Sequence, residues 1–199
     1  INPHFLYNTL ESISMMATIN DDEITSDMAA SLGSILRYSI SDLNSPVSLL
    51  DEIGHVKEYV ALLEYRFKNQ YRLEVDVPIA LYSTQMPKLI LQPVVENAIY
   101  HGMRTVRTGG IIRVSASKSA RNTLEIRVSD NGSGIPNDKL IALNDYINEK
   151  NDSFDSIGLR NVNRRIHLFC KDEKDSSNIG VYVESGIEEG TVVIIRISC

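Results

Sequence analysis

Four short segments of this 199-residue chain carry side chains with chemistry to offer. Glu96-Asn97-Ala98 lies within a helical pattern, and Asp130-Asn131-Gly132-Ser133-Gly134 follows a strand-like alternation. Gly158-Leu159 opens another helical pattern, and Gly190-Thr191 opens the last strand-like run. Asn97 supplies an uncharged oxygen ligand, the kind Mg²⁺ accepts while keeping water and phosphate oxygens around it. Asp130 supplies a carboxylate that must accept good hydrogen bonds if buried, and an adenine amino group is a suitable donor. The glycines let a base or a polyphosphate approach the backbone with no Cβ in the way. Far upstream, Pro3-His4-Phe5-Leu6-Tyr7-Asn8 adds a histidine able to receive a phosphoryl group. The set amounts to a nucleotide site joined to its own acceptor.

Each segment also has an ordinary reading. Asp-Asn-Gly is a common turn, and an asparagine in a helix often faces solvent or caps it. Glycine at a helix boundary is frequent, although a helix start such as Gly158 also presents free N–H groups and the positive dipole end to an anion. His4 projects away from the Leu6, Leu10, Ile13 and Ala17 stripe, alongside Asn8 and Glu11. Asn2-Pro3 before it suits an N-cap and first-turn pair. His101 follows the Asn97 helix, where it lines the site or caps the helix end, and His55 and His167 have no partners legible in the sequence. Two familiar nucleotide signatures are excluded. There is no GxxxxGK[ST], and Gly132-Ser133-Gly134 fails GxGxxG because Asn137 holds the third glycine position.

The elements that must position these residues divide in two. Residues 1 to about 68 are helical in pattern. After the first stripe, Asn20 with Glu23 resembles a capping box ahead of Met28, Leu32, Ile35 and Leu36. Asn44-Ser45-Pro46 breaks that helix, and Ser48 with Asp51 caps a third. In the third, Ile53, Val56, Val60, Leu63 and Phe67 form an a/d-like seam of the sort buried against another helix, often a second copy. From Asn69-Gln70 onward the pattern is α+β. Strands are expected at Leu73–Val77, Ile111–Ser117, Leu124–Ser129, Val181–Glu184 and Thr191–Ser198, with a turn at Arg121-Asn122. Buried or amphipathic helices are expected at Lys88–His101 and Gly158–Cys170, and residues 137 to 156 are mixed and polar, with weak helical character and no firm core face. An antiparallel or mixed sheet with helices on one face follows.

Composition narrows the classes. A hydrophobic content of 43% is enough for real cores, and a net charge of −6 argues against a nucleic-acid surface. No apolar run approaches the roughly 20 residues needed to span a bilayer, which points to a soluble piece. Cys170 and Cys199 form no CxxC pair, favouring a reducing, cytoplasmic setting. The chain opens at Ile1 without a methionine, as a fragment of a longer protein would, so any membrane anchor is expected in segments outside it.

Pro3-His4-Phe5-Leu6-Tyr7-Asn8, Leu91-Gln92-Pro93-Val94-Val95-Glu96-Asn97-Ala98, Asp130-Asn131-Gly132-Ser133-Gly134 and Gly158-Leu159-Arg160-Asn161-Val162 resemble the H, N, G1 and G2 boxes of bacterial two-component sensor histidine kinases. The form of the H box is similar to the LytS/YesM-like group, within the GHKL ATPase superfamily. The match runs through nearly the whole chain in the correct order. It implies a helical dimerisation and phosphoacceptor region, 1–68, followed by a Bergerat-type α/β sandwich that binds ATP, 69–199. Carried over by position, His4 is the phosphoacceptor, Asn97 the Mg²⁺ ligand and Asp130 the adenine reader, supported by Thr191. Gly132, Gly134, Gly158 and Leu159 shape the pocket, and residues 137 to 156 form the ATP lid. The resemblance further implies MgATP-dependent autophosphorylation of a homodimer and relay to an aspartate on a response-regulator receiver domain. It also implies a rigid-body movement about a hinge, placed near Asn69-Gln70.

Two positions depart from the family pattern. Tyr100 stands where many relatives carry a lysine, leaving Arg104, backbone amides or Mg²⁺ to meet the phosphate charge. Phe5 stands where other kinase groups place an acidic base, leaving Glu11 or an acid elsewhere. Two alternatives share the pocket. One is an ATP-hydrolysing conformational machine with Glu96 as base, and the other is a nucleotide-binding dimerisation module without kinase activity.

Overall fold

Pro3 presets the first turn and Asn2 accepts the His4 N–H at 3.0 Å, so helix α1 (Pro3–Ile19) carries the histidine in its first turn. Asn20 ends α1 as its C-cap, and Asp22, not Asn20, caps α2 (Glu23–Ile40) by accepting the Thr25 N–H at 3.1 Å. The two helices pack side by side as a hairpin. Then come β1 (Val47–Ser48), α3 (Leu49–Phe67), β2 (Tyr71–Asp76), β3 (Gln85–Met86) and α4 (Leu91–Asn97). They are followed by β4 (Gly110–Lys118), β5 (Thr123–Asp130), α5 (Asn137–Ile147), α6 (Ile157–Phe169), β6 (Gly180–Gly186) and β7 (Gly190–Ser198). This computed structural model describes residues 2–42, 45–67, 70–106, 108–119, 122–148, 157–171 and 178–198. Arg121, Asn69 and the second half of the expected lid, 149–156, fall outside them.

Five strands form one mixed sheet in the order β2-β4-β5-β7-β6, with β2 parallel to β4 and every other pair antiparallel. Alternation sorts its two faces. Ile112, Val114, Leu124, Ile126, Val128, Ile195 and Ile197 turn inward and are buried. On the opposite face Arg113 pairs with Glu74, and Arg196 and Arg127 flank Glu125, in a solvent-side ladder. The helices therefore cover one face, and the charged face stays open.

The third helix departs from expectation. Ser48 and Asp51 do cap it reciprocally, with N–H to side-chain distances of 2.9 and 3.2 Å. Its stripe, however, is not left for another copy: Ile53, Val56, Val60 and Leu63 are buried in the same hydrophobic core as the sheet. An a/d-like spacing marks a narrow apolar face but does not say whether a helix or a sheet covers it. Since α3 and β2 both belong to that core, a hinge near residue 70 would have to open it. The α1–α2 hairpin stays in contact with this core through the packing of α2 on α3. After it, β1 pairs with β3 in a short ladder that the sequence pattern did not suggest.

Two further helices differ from their expected form. The Lys88–His101 helix is shorter, running from Leu91 to Asn97 and then widening into a π-helical turn, Ala98–Gly102. Residues 137–147 form a full helix, α5, with Leu143, Tyr146 and Ile147 buried. The first half of the expected lid is thus a helix packed against β6. No helix among the described residues is long and apolar enough to cross a membrane.

Candidate functional site

A cavity of about 500 Å³ opens between α4 with its π turn, the Gly-rich loop after β5, α5, α6 and the floor of β5, β6 and β7. Asn97, Asp130, Gly134, Leu159 and Thr191 line it, as do His101 and Lys139. Gly132 lies beside it, its N–H donating to Asp130 Oδ1 at 2.9 Å. Apolar walls come from Val94, Ala98, Val128, Ile135, Leu143 and Val193. An apolar slot with one carboxylate at its end fits a flat base carrying an amino group.

Asp130 ends β5 because its backbone still pairs with Thr191 while the chain turns away. Burial raises the carboxyl above its ordinary value near 3.8, and the N–H groups of Gly132 and Thr191 pull partly the other way. Only part of its hydrogen-bonding capacity is thus met from within the chain. Thr191 is buried, and its hydroxyl lies 3.1 Å from that of Ser185, which donates to Gly190 O at 2.6 Å. Ser185 Oγ also accepts the Ile135 N–H at 2.9 Å, and Ser133 O accepts the Glu188 N–H at 3.0 Å. The loop is stitched to the β6–β7 hairpin.

The glycines of that loop meet a demand nearer than any ligand. A Cβ on Gly132 would collide with Gly102 O, and one on Gly134, at φ +69°, would collide with Gly186 O. They let the loop pack on the π turn and the hairpin. Gly158 is the contrary case. It does not line the cavity, and a Cβ there would find nothing closer than Pro93 Cβ at 3.8 Å. No packing within the described chain requires glycine at 158.

Asn97 closes α4, with its amide Nδ2 buried and lacking a hydrogen-bond partner. Among the described residues no cluster of three His, Cys, Asp or Glu side chains could hold a metal alone. A divalent cation at Asn97 would need to bring phosphate oxygens and water as its other ligands, which is how Mg²⁺ prefers to bind. The residues fit that group.

Glu96 does not line the cavity. Its Oε1 accepts from Gln92 Nε2 at 2.9 Å, and its charge helps push up the pKa of the nearby Tyr59 hydroxyl on α3. Tyr100 is engaged by Tyr59 as well, and neither it nor Arg104 lines the cavity. Lys139, on α5, is the cation that does, a residue sequence reasoning passed over because the stretch showed no clear pattern.

His4 is exposed at the start of α1 and lies outside the cavity lining. Its Nδ1 is 3.4 Å from the Asn8 side-chain amide. Glu11 is two turns on and is taken by Arg37 at 2.8 Å.

A one-sided mixed sheet under helices, with a cavity lined by one carboxylate between them, defines the GHKL ATPase fold. The comparisons place it further. The histidine kinase family model matches residues 1–71, and the model described as histidine kinase-, DNA gyrase B-, and HSP90-like ATPase matches 84–199. The chain belongs to the sensor histidine kinases, in the LytS/YesM-like group. It is 34% identical over 199 residues to the sensor histidine kinase YesM of Bacillus subtilis, covering all of this chain and 32% of that protein. It is 28% identical over 197 residues to the sensor protein kinase HptS of Staphylococcus aureus, covering 98% of this chain and 36% of that protein. It thus spans about a third of each relative's length. The histidine kinase domain of the Erythrobacter litoralis blue-light activated kinase shares the fold, with a TM-score of 0.54 at 16% identity over 98% of this chain and 93% of that one.

Proposed function

We propose that the chain transfers the terminal phosphoryl group of MgATP to His4 and relays it to a response-regulator aspartate. The observation that carries this reading is the meeting of Asn97, Asp130 and Thr191 around one apolar cavity, with an exposed histidine on a separate helical hairpin. Asp130 would accept the adenine amino group, gaining a donor beyond the Gly132 and Thr191 N–H groups. The start of α6, with Gly158 and Leu159, would approach the phosphates through backbone N–H groups. Asn97 would hold the cation, which neutralises charge on the transferring group.

His4 would attack through Nε2. As placed, Asn8 Nδ2 faces Nδ1 at 3.4 Å; exchanging the amide's nitrogen and oxygen would let Asn8 accept an Nδ1–H and leave the Nε2 lone pair free. The new bond forms between Nε2 and the γ-phosphorus, the bond to the bridging oxygen breaks, and ADP leaves. Because His4 lies outside the cavity, the hairpin must swing toward it. Residues 1–68 would then supply the helical phosphoacceptor region and 69–199 the nucleotide site, with α3 of the first packed into the core of the second.

The hairpin carries a large exposed apolar surface, including Phe5, Ile13, Met15, Met16, Ile19 and Ile24. Such a surface suits a homodimer through α1 and α2. A cytoplasmic location for this part accords with the receiver-domain partner. The hydrolysing-machine alternative is weakened because Glu96 is engaged by Gln92 and Tyr59 and does not line the cavity.

The test is incubation with γ-labelled ATP and Mg²⁺, with dimer formation measured alongside. Acid-labile, base-stable label on the protein, abolished in His4→Ala, is expected. Free phosphate without labelled protein would indicate the machine, and nucleotide binding with neither would indicate an idle module.

A further inference from the structure

Helix α3 carries three polar side chains on a face that packs against α4. Glu52 is fully buried, and its Oε1 accepts the Leu89 N–H at 2.7 Å while Oε2 accepts the Ile90 and Leu91 N–H groups at 2.9 and 3.0 Å. It therefore caps the start of α4 from another helix, meeting donors that the helix cannot satisfy itself. One turn on, His55 Nε2 lies 2.6 Å from Gln92 Oε1, and Gln92 Nε2 donates to Glu96 at 2.9 Å. One turn further, Tyr59 is half-buried beside Glu96 and Tyr100, on either side of Asn97, where burial and the Glu96 charge push its hydroxyl pKa up. Residues 52, 55 and 59 follow i, i+3, i+7 spacing, so one edge of α3 grips α4 at three successive levels.

The grip continues into the hairpin. Tyr38 of α2 donates its hydroxyl to Glu52 Oε1 at 2.6 Å and stacks on the His55 ring at 4.2 Å. Lys88 lies over the Tyr38 ring at 4.4 Å and bonds Ser41 Oγ. One residue before Tyr38, Arg37 reaches the helix of His4, pairing with Glu11 and lying over the Tyr7 ring. A buried carboxylate with four hydrogen bonds is costly to assemble and costly to disrupt.

We propose that Glu52, His55 and Tyr59 are positioning residues that set the Asn97 helix, and that Tyr38 ties this setting to the hairpin bearing His4. Neither the spacing of the family boxes nor the cavity lining includes them. The cap fixes where α4 begins, the Gln92 and Glu96 contacts fix its rotation, and Asn97 is carried with it. Tyr38 is the point at which a movement of the hairpin reaches the cation ligand. The inference rests on the nucleotide reading given above, and its test separates the two.

Two variants that keep ring volume serve, Tyr59→Phe and Tyr38→Phe, each checked for an unchanged melting curve. ADP affinity is measured by calorimetry with Mg²⁺ and with EDTA, and His4 labelling is followed at saturating MgATP. Tyr59→Phe is expected to lose about tenfold of the Mg²⁺-dependent affinity, the scale of one polar contact to a charged group. Its EDTA affinity, which rests on the Asp130 end, should stay within about twofold of wild type. Tyr38→Phe should keep both affinities and label His4 about tenfold more slowly. Wild-type behaviour in either variant, or equal loss with and without Mg²⁺, overturns the inference. A wild-type chain with no Mg²⁺-dependent ADP affinity would instead overturn the nucleotide reading.

Discussion

Gly102 and Asp130 are in such close register that a Cβ on residue 102 would stand 2.7 Å from the Asp130 carboxylate oxygen. The obstruction is a side chain and not backbone, so the carboxylate can swing aside, at the cost of its hydrogen bonds. Swinging would break its 2.9 Å bond from the Gly132 N–H and take it off the position where a base would meet it. Gly102→Ala is therefore expected to fold and to lose adenine-nucleotide affinity by about tenfold or more. Gly132→Ala is different, because its Cβ would meet backbone, Gly102 O, which cannot step aside. That variant should lose melting temperature as well as affinity, and calorimetry beside a thermal melt distinguishes the two.

Asp130 itself trades stability for recognition. Burial raises its carboxyl in the folded chain, so the folded state holds its proton to higher pH than the unfolded state does. Stability then falls as pH rises from the ordinary value near 3.8 through the raised folded value, and the penalty persists at neutral pH. Asp130→Asn removes the charge and keeps the oxygen that accepts from Gly132. The nucleotide-free variant should melt higher than wild type at neutral pH, with the difference shrinking as the pH approaches about 4. Its ATP affinity should collapse. A melting point at neutral pH equal to or below that of wild type contradicts the account.

The chemistry-bearing boxes were legible because each is local: a carboxylate at a strand end, an asparagine among apolar neighbours, a histidine after proline. The sheet was legible from alternation, as in Ile112, Val114 and Ala116. What the sequence withheld was non-local. The stripe of α3 looks the same whether a second copy or the chain's own sheet covers it. Glu52 resembles any acidic residue in a first helical turn, and nothing local says that its oxygens meet amides some 40 positions on. His55 had no visible partner for the same reason. The loop glycines were credited to ligand approach, whereas Gly132 and Gly134 answer to Gly102 O and Gly186 O first.

Glu11, a candidate base for His4, is expected to be dispensable. It is paired with Arg37 at 2.8 Å, and both side chains are about two-thirds exposed, at 65% and 63%. An exposed pair of this kind contributes about 0–1 kcal/mol. Glu11→Gln should label His4 within about twofold of the wild-type rate and melt nearly unchanged, whereas Asn8→Ala, which removes the contact to Nδ1, should label more slowly. Loss of labelling in Glu11→Gln with an intact fold would assign the base to Glu11 after all.

Gly158 offers a test in which stability and function should move in opposite directions. It sits in the first turn of α6, where the nearest atom to an added Cβ is 3.8 Å away, an ordinary contact. Glycine in a helix costs about 0.5–1 kcal/mol relative to alanine, less near an end. On folding grounds alone, Gly158→Ala should be neutral or mildly stabilising. If the start of α6 approaches phosphate oxygens through its backbone, the same methyl group obstructs that approach, and MgATP affinity and His4 labelling should both fall. A variant that melts at or above the wild-type temperature yet binds MgATP poorly would show that position 158 is glycine for the nucleotide's sake. A variant that binds as well as wild type would move the phosphates away from this helix.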